Sequence, residues 1–143
     1  MRATHTLLIL VLASLCVGCF TMQLTRDNLL HVATFTYEER GKPPKMTSRI
    51  RQGQIGFVKI TFTWDESGSA GGHETMWKMY HGERLVSQRK LSTVFRASPY
   101  AMRFRIDTTS YPTGEYRLAY YLDGQLFTNA HFTILKAEKD EDL

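Results

Sequence analysis

The chain of 143 residues contains 43% apolar, 12% aromatic and 22% charged residues, and its formal net charge is +4. This length fits one globular domain, because two domains of half the size would each bury too small a core, and the 10 glycines and 4 prolines exclude a collagen-like or disordered chain. The positive charge is weak and evenly spread, which argues against nucleic acid as a partner, since that ligand requires a clustered basic stripe.

The N-terminus combines a basic head with a short apolar segment. Arg2 precedes an apolar run over 7–15, and this arrangement resembles an export signal. The run is shorter than the roughly 20 apolar residues that a membrane-spanning helix needs. We therefore predict a cleaved signal peptide over 1–18, a linker over 19–29, a β-domain over 30–136 and an acidic tail over 137–143.

Both cysteines lie at the end of the predicted signal peptide. Val17, Gly18 and Cys19 resemble the end of a bacterial lipobox, in which small residues precede a cysteine that is acylated and becomes the new N-terminus; Cys16 stands where that motif prefers Leu. The resemblance implies that Cys19 is lipidated and anchors the protein in a membrane. In such proteins an Asp after the acylated cysteine resembles a signal for retention in the inner membrane. Since Phe20 follows Cys19 here, the resemblance implies an anchor in the outer membrane, with the domain facing the periplasm. Ordinary signal-peptidase cleavage, giving a soluble periplasmic or secreted protein, and a redox Cys-x-x-Cys pair are the alternatives.

Beyond the leader, apolar and polar residues alternate with a period of two, and no segment keeps the 3.6-residue period of a helix. The clearest strand covers 58–64, where Ile60, Phe62 and Trp64 share one face. Asp123-Gly124 is the strongest hairpin signal, since a type I′ turn needs positive φ at both central positions. The pattern predicts an opening strand over 32–37, a hairpin of 73–80 with 84–91, a strand over 102–106, and a last hairpin of 116–122 with 126–135.

Two segments resemble parts of an immunoglobulin-like sandwich. Trp77 falls on the third predicted strand, where that fold buries a tryptophan. The run 111–118 resembles a tyrosine corner, in which Tyr116 turns its hydroxyl back onto the upstream backbone, and Leu118 stands where antibody domains carry their second cysteine. The resemblance implies an all-β fold, a single immunoglobulin-like antiparallel β-sandwich of about seven strands without a disulfide. The predicted structural core comprises Ile60, Phe62, Trp77, Tyr116, Leu118 and Phe132.

The span 32–135 also resembles small bacterial envelope domains of uncharacterised function. The shared pattern is Trp-x-x-Tyr-x-Gly, here 77–82, followed by a Gly-x-Tyr strand and an Asp-Gly hairpin that ends in Phe-x-Ile. Such modules resemble adaptors more than enzymes. The resemblance therefore implies a non-catalytic protein-binding or structural accessory module.

No pattern of catalytic or metal-binding residues stands out in the sequence. His73 and His81 have equal parity on a strand, but they span about 27 Å if it is extended, too far for one ion. No serine lies in a nucleophile-elbow motif, and the adjacent carboxylates at 38–39 and 65–66 point to opposite faces of a strand. We predict no catalytic residue, no metal and no cofactor.

The outward positions of the last hairpin carry aromatic and basic side chains. If Tyr116 and Leu118 face inward, alternation turns Arg117, Tyr121, Phe127 and His131 outward, and such residue types are enriched at interfaces. These four residues form a candidate docking surface for an envelope protein partner. An aromatic cross-strand pair that only stiffens the hairpin is the simpler alternative. A second alternative is a periplasmic domain that binds a glycan or small ligand on the rings of Trp64, Tyr80, Tyr100 or Tyr111.

Overall fold

A computed structural model describes residues 24–37, 40–64 and 71–138. The predicted signal peptide over 1–18, the predicted lipidation site Cys19 and the end of the predicted acidic tail lie outside these residues. Within the part of the chain that the structure describes, no helix is long and apolar enough to cross a membrane.

The described residues form nine strands and two short 3₁₀ turns. The strands are β1 (Leu29–Thr36), β2 (Lys45–Met46), β3 (Arg49–Arg51), β4 (Ile55–Phe62), β5 (Gly71–His81), β6 (Arg84–Phe95), β7 (Tyr100–Asp107), β8 (Gly114–Leu122) and β9 (Gln125–Leu135). The 3₁₀ turns cover Arg26–Asn28 and Thr108–Ser110.

The strands pair into two sheets, with the orders β2-β1-β4-β7 and β3-β9-β8-β5-β6. Neighbouring strands are antiparallel, except that β3 runs parallel to β9. In one sheet β1, β4 and β7 take the places of strands A, B and E of an immunoglobulin domain, and in the other β9, β8 and β5 take those of G, F and C. The predicted immunoglobulin-like β-sandwich is therefore confirmed.

The count of about seven strands omitted β2 and β3. These strands have 2 and 3 residues and lie on either side of a short turn after Pro43 and Pro44. Segments this short cannot show the period-two alternation by which a strand is recognised in a sequence. They pair with β1 and β9, so that each closes one side of its sheet.

The core lies between the sheets and follows the predicted alternation. In β4 the side chains of Val58, Ile60 and Phe62 are fully buried, and the residues between them are half-buried. Apolar residues on facing strands complete the core. Among the other predicted core residues, Tyr116 and Leu118 are buried in β8, Phe132 is buried in β9, and Trp77 is half-buried against the cluster.

A tyrosine corner anchors the crossing from β7 to β8. The hydroxyl of Tyr116 donates a hydrogen bond of 2.7 Å to the backbone carbonyl of Pro112, as the sequence predicts. The Tyr116 ring stacks on His81 at 4.6 Å and on Phe132 at 5.4 Å between ring centroids. Because β8 is central in its sheet, this corner fixes where its outward residues begin.

The hairpin between β8 and β9 closes at Asp123-Gly124, and both residues have positive φ (50° and 81°), as a type I′ turn requires. The Asp123 carboxylate lies 2.6 Å from Nδ1 of the buried His73 and accepts a 2.9 Å hydrogen bond from the backbone N–H of Glu74. The predicted turn is confirmed, and its aspartate also ties the hairpin to β5.

Candidate functional site

The outer surface of the five-stranded sheet carries a cluster of aromatic and basic side chains. In β5 the even-numbered residues point away from the core, and in β8 the odd-numbered residues do so. The register places Tyr80 opposite Arg117, and Arg117 opposite His131 on β9. We call the following six outward residues the docking face: Lys78, Tyr80, Arg117, Tyr121, Asn129 and His131.

Arg117 lies at the centre of the docking face and is held in place from two sides. Its guanidinium carbon is 4.3 Å from the centroid of the Tyr80 ring, which is within cation–π range. Its Nη1 donates a hydrogen bond of 3.3 Å to Oδ1 of Asn129 on the next strand. These two contacts restrict the side-chain rotamers of Arg117 within the domain.

A second cation–π pair lies one row further along the sheet. The Lys78 ammonium is 5.2 Å from the ring centroid of Tyr121. Between the two pairs, Ala119 points outward, as alternation predicts, yet it is fully buried among its larger neighbours. The two pairs therefore form one continuous aromatic and basic surface rather than two isolated contacts.

Phe127 does not belong to this surface, which corrects the sequence-based hypothesis. Simple alternation placed its side chain outward, but the residue is 4% exposed and its ring lies among core rings. Tyr120 pairs with Thr128 and Tyr121 pairs with Leu126, so Phe127 is one extra residue inserted into β9, a β-bulge. The bulge reverses the alternation, and the exposed Leu126 takes the outward position beside Tyr121.

The other three predicted docking residues lie on the outer side of the sheet. Arg117 and Tyr121 are half-buried, and His131 is exposed. Lys78 and Tyr80, which complete the cation–π pairs, were not predicted as docking residues, and Tyr80 was named only for the glycan alternative. Both residues occupy even-numbered positions of the strand that carries Trp77, so alternation alone could have placed them on the surface. The sequence does not show that this strand pairs with β8, which is known only from the sheet order.

The rings named for the glycan alternative are each engaged within the domain. Trp64 is 5% exposed, and Tyr80 is covered by the guanidinium of Arg117. Tyr100 and Tyr111 pack against core rings at centroid distances of 4.7 and 6.0 Å. These rings therefore do not form one shared exposed platform.

The surroundings of the ionisable groups bear on what chemistry the domain can perform. Within residues 24–37, 40–64 and 71–138, no cluster of three or more His, Cys, Asp or Glu side chains is arranged to hold a metal ion. Burial raises the pKa of both Tyr116 and Tyr120, whose side chains belong to the core. Hydrogen bonds from Thr109 lower the pKa of Asp107.

The fold and the docking face define an immunoglobulin-like β-sandwich with a basic, aromatic outer surface. No family model and no curated protein sequence matches the chain. The chain is similar in structure to part of a cycloisomaltooligosaccharide glucanotransferase from Paenibacillus, solved with cycloisomaltoheptaose, with a TM-score of 0.52 and 12% identity. That match covers 78% of this chain but only 14% of the enzyme, so it shows a shared fold and no more.

A second solved structure is an immunoglobulin-like protein from Pseudomonas aeruginosa. It matches with a TM-score of 0.43 and 10% identity, over 74% of this chain and 93% of that protein.

Proposed function

We propose that this protein is a non-catalytic accessory module of the bacterial cell envelope that binds an envelope protein partner through the docking face. In this proposal the signal peptide directs export, and acylation of Cys19 anchors the domain in the outer membrane, facing the periplasm. The observation that carries the binding role is the pair of cation–π contacts, Arg117 on Tyr80 and Lys78 on Tyr121, on one sheet surface.

The residue types of the docking face support binding to a protein. Tyrosine and arginine are the types most often found at energetic hot spots, and both are ordered here by intramolecular contacts. The nearby carboxylate of Glu74 is paired with Lys90 at 2.7 Å. The one other nearby negative charge in the described part of this surface, that of Glu115, is outnumbered by the two positive charges of Lys78 and Arg117. The positive charges of Lys78 and Arg117 thus favour a partner with an acidic surface.

The binding proposal is tested by site-specific photo-crosslinking in intact envelopes. A photoreactive benzoylphenylalanine replaces His131 on the docking face or, as the control, the exposed Ala101 on the outer surface of the four-stranded sheet. We expect a discrete adduct from position 131 and none from position 101. Equal adducts from both positions would contradict a defined docking face.

A matched pair of arginine variants tests the central contact. Arg117→Ser removes the cation over Tyr80, and Arg103→Ser removes the cation that lies 5.8 Å from the Phe35 ring on the opposite sheet. Loss of a hot-spot arginine weakens binding by about tenfold or more, so the adduct from position 131 should fall with Arg117→Ser and persist with Arg103→Ser. An unchanged adduct in the Arg117 variant would refute the proposal.

The anchoring proposal is tested by the intact mass of the mature protein. Cys19→Ser should abolish the acyl mass and release the protein from membranes, whereas Cys16→Ser should leave both unchanged. Diacyl and N-acyl modification predicts firm membrane association, because one acyl chain alone binds only marginally. A wild-type mature chain without acyl mass would show ordinary signal-peptidase processing instead.

A further inference from the structure

A cavity of about 410 Å³ opens between the two sheets, on the side of the sandwich away from β3. The strands that border it, β6 and β7, are the last strands of their sheets within the described part of the chain. The two sheets are therefore not joined there by a further described strand. This volume falls in the range of sites that take a small organic ligand.

The inner wall of the cavity is apolar. Met79, Phe104 and Leu118 belong to the buried core and line the cavity, and Trp77 packs edge to face on Phe104 at 6.2 Å. Met102 from β7 completes the wall. Methionine side chains adapt to ligands of irregular shape, so this wall suits a flexible apolar chain.

Arg89 stands at the rim on the cavity side. Three other charged residues also line the cavity, but they occupy odd-numbered positions of β7, which face the outer surface of the four-stranded sheet: Arg103, Arg105 and Asp107. Arg89 pairs in register with Trp77, so its side chain leaves β6 on the same side of the sheet as that indole. It is exposed, and within the described part of the chain it makes no hydrogen bond or ion pair, whereas the adjacent Lys90 pairs with Glu74. An unpaired guanidinium beside an apolar wall favours an anionic group on whatever enters.

The distribution of polar groups favours an amphiphile over a sugar. A saccharide carries many hydroxyl groups, and each one that is desolvated without a hydrogen bond weakens binding. The wall formed by Met79, Phe104 and Leu118 offers alkyl, thioether and aromatic surface, which suits hydrocarbon. Besides the charged residues of β7 that face outward, the polar residues of the lining are Arg89, Ser110 and Tyr111.

We propose that this cavity binds a single-chain anionic amphiphile of the fatty-acid class, with its hydrocarbon chain against Trp77 and Phe104 and its carboxylate paired with Arg89. The site lies on the opposite side of the five-stranded sheet from the docking face. It is independent of the proposed protein partner, and either proposal can fail while the other stands.

The test uses dodecanoate below its micelle concentration as the anionic probe and dodecanol as an uncharged probe of equal chain length. Binding is followed by calorimetry and by the indole N–H signals in a ¹⁵N-resolved spectrum, of which the two tryptophans give two. We expect dodecanoate to shift the Trp77 signal and to leave that of the buried Trp64 in place. A Trp77→Phe variant assigns the signals.

Arg89→Gln should weaken dodecanoate binding by about tenfold, because one charge-assisted hydrogen bond is lost. The affinity for dodecanol should not change. Arg49→Gln is the matched control, because Arg49 is an exposed arginine on β3, at the opposite side of the same sheet. Unchanged urea midpoints in both variants exclude unfolding as the cause.

Three results would overturn the proposal. The first is a Trp77 signal that does not move with dodecanoate. The second is equal dodecanoate affinity in the wild type and Arg89→Gln. The third is a shift of the Trp77 signal by maltoheptaose but not by dodecanoate, which would assign the cavity to a glycan.

Discussion

The tyrosine corner makes a quantitative prediction about stability. Tyr116→Phe removes one hydroxyl and leaves the ring, so the stacks on His81 and Phe132 remain, and only the 2.7 Å hydrogen bond to the Pro112 carbonyl is lost. Pro112 is exposed, and water can therefore reach that carbonyl in the variant. The free energy of unfolding should fall by about 0.5–1.5 kcal/mol, the net contribution of one such bond.

The assay is equilibrium unfolding in urea, with the midpoint and the m-value fitted separately. A loss of about 1 kcal/mol lowers the melting temperature by roughly 4 °C in a domain of this size. The m-value should not change, since the variant exposes no additional surface on unfolding. Tyr116→Ala, which also removes the buried ring, should cost about 3–5 kcal/mol.

Tyr121→Phe is the matched control for the hydroxyl. Tyr121 lies on the same strand, and its hydroxyl makes no hydrogen bond within the described part of the chain, while its ring still accepts the Lys78 ammonium after the change. Its effect should stay within about 0.5 kcal/mol. If both phenylalanine variants lose the same free energy, the bond to Pro112 does not stabilise the corner.

Three further predictions concern the last hairpin and the core. In urea unfolding, Phe127→Ala should lower the free energy of unfolding by about 3–5 kcal/mol and Leu126→Ala by less than about 0.5 kcal/mol. The reason is that the bulge buries the Phe127 side chain and exposes that of Leu126. Equal losses in the two variants would contradict the bulge. Burial raises the pKa of Tyr120, so its contribution is complete below the unfolded value of about 10 and is lost as the pH rises through the higher folded value. The urea midpoint of the wild type should therefore decrease above about pH 10, and that of Tyr120→Phe should decrease less. If the two proteins show the same dependence of the midpoint on pH, Tyr120 does not contribute to it. Asp123→Ala should lower the free energy of unfolding by about 1–3 kcal/mol, because it removes the side-chain bonds from the turn to β5. A smaller loss than that of Leu126→Ala would show that those bonds do not stabilise the domain.

The architecture was predictable because local signals agree along the chain. The alternation around Ile60 and Phe62 specifies which face of β4 is buried, and Asp123-Gly124 specifies where the last hairpin turns. Tyr116 lies four residues after the carbonyl that it binds, so this contact is also local in sequence. Each signal can be read without knowing which strands become neighbours.

Which residues form the candidate sites could not be predicted from alternation alone, because it depends on a β-bulge and on which strands pair. One inserted residue in β9 moved Phe127 from the predicted surface into the core. The contact between Tyr80 and Arg117 joins β5 to β8, and the sequence does not state that these strands pair. The same holds for Arg89, whose position beside Trp77 follows from the register between β5 and β6.

The strand β5 contributes to both proposed sites, and its period of two keeps them apart. Trp77 and Lys78 are adjacent in the chain, yet one borders the cavity and the other lies on the docking face. The two arginines differ in the same way. Arg117 is already ordered by Tyr80 and Asn129, which suits a broad protein surface, since little rotamer entropy remains to be lost. Arg89 has no such contacts within the described residues, so a mobile ligand that brings its own charge can order it on binding.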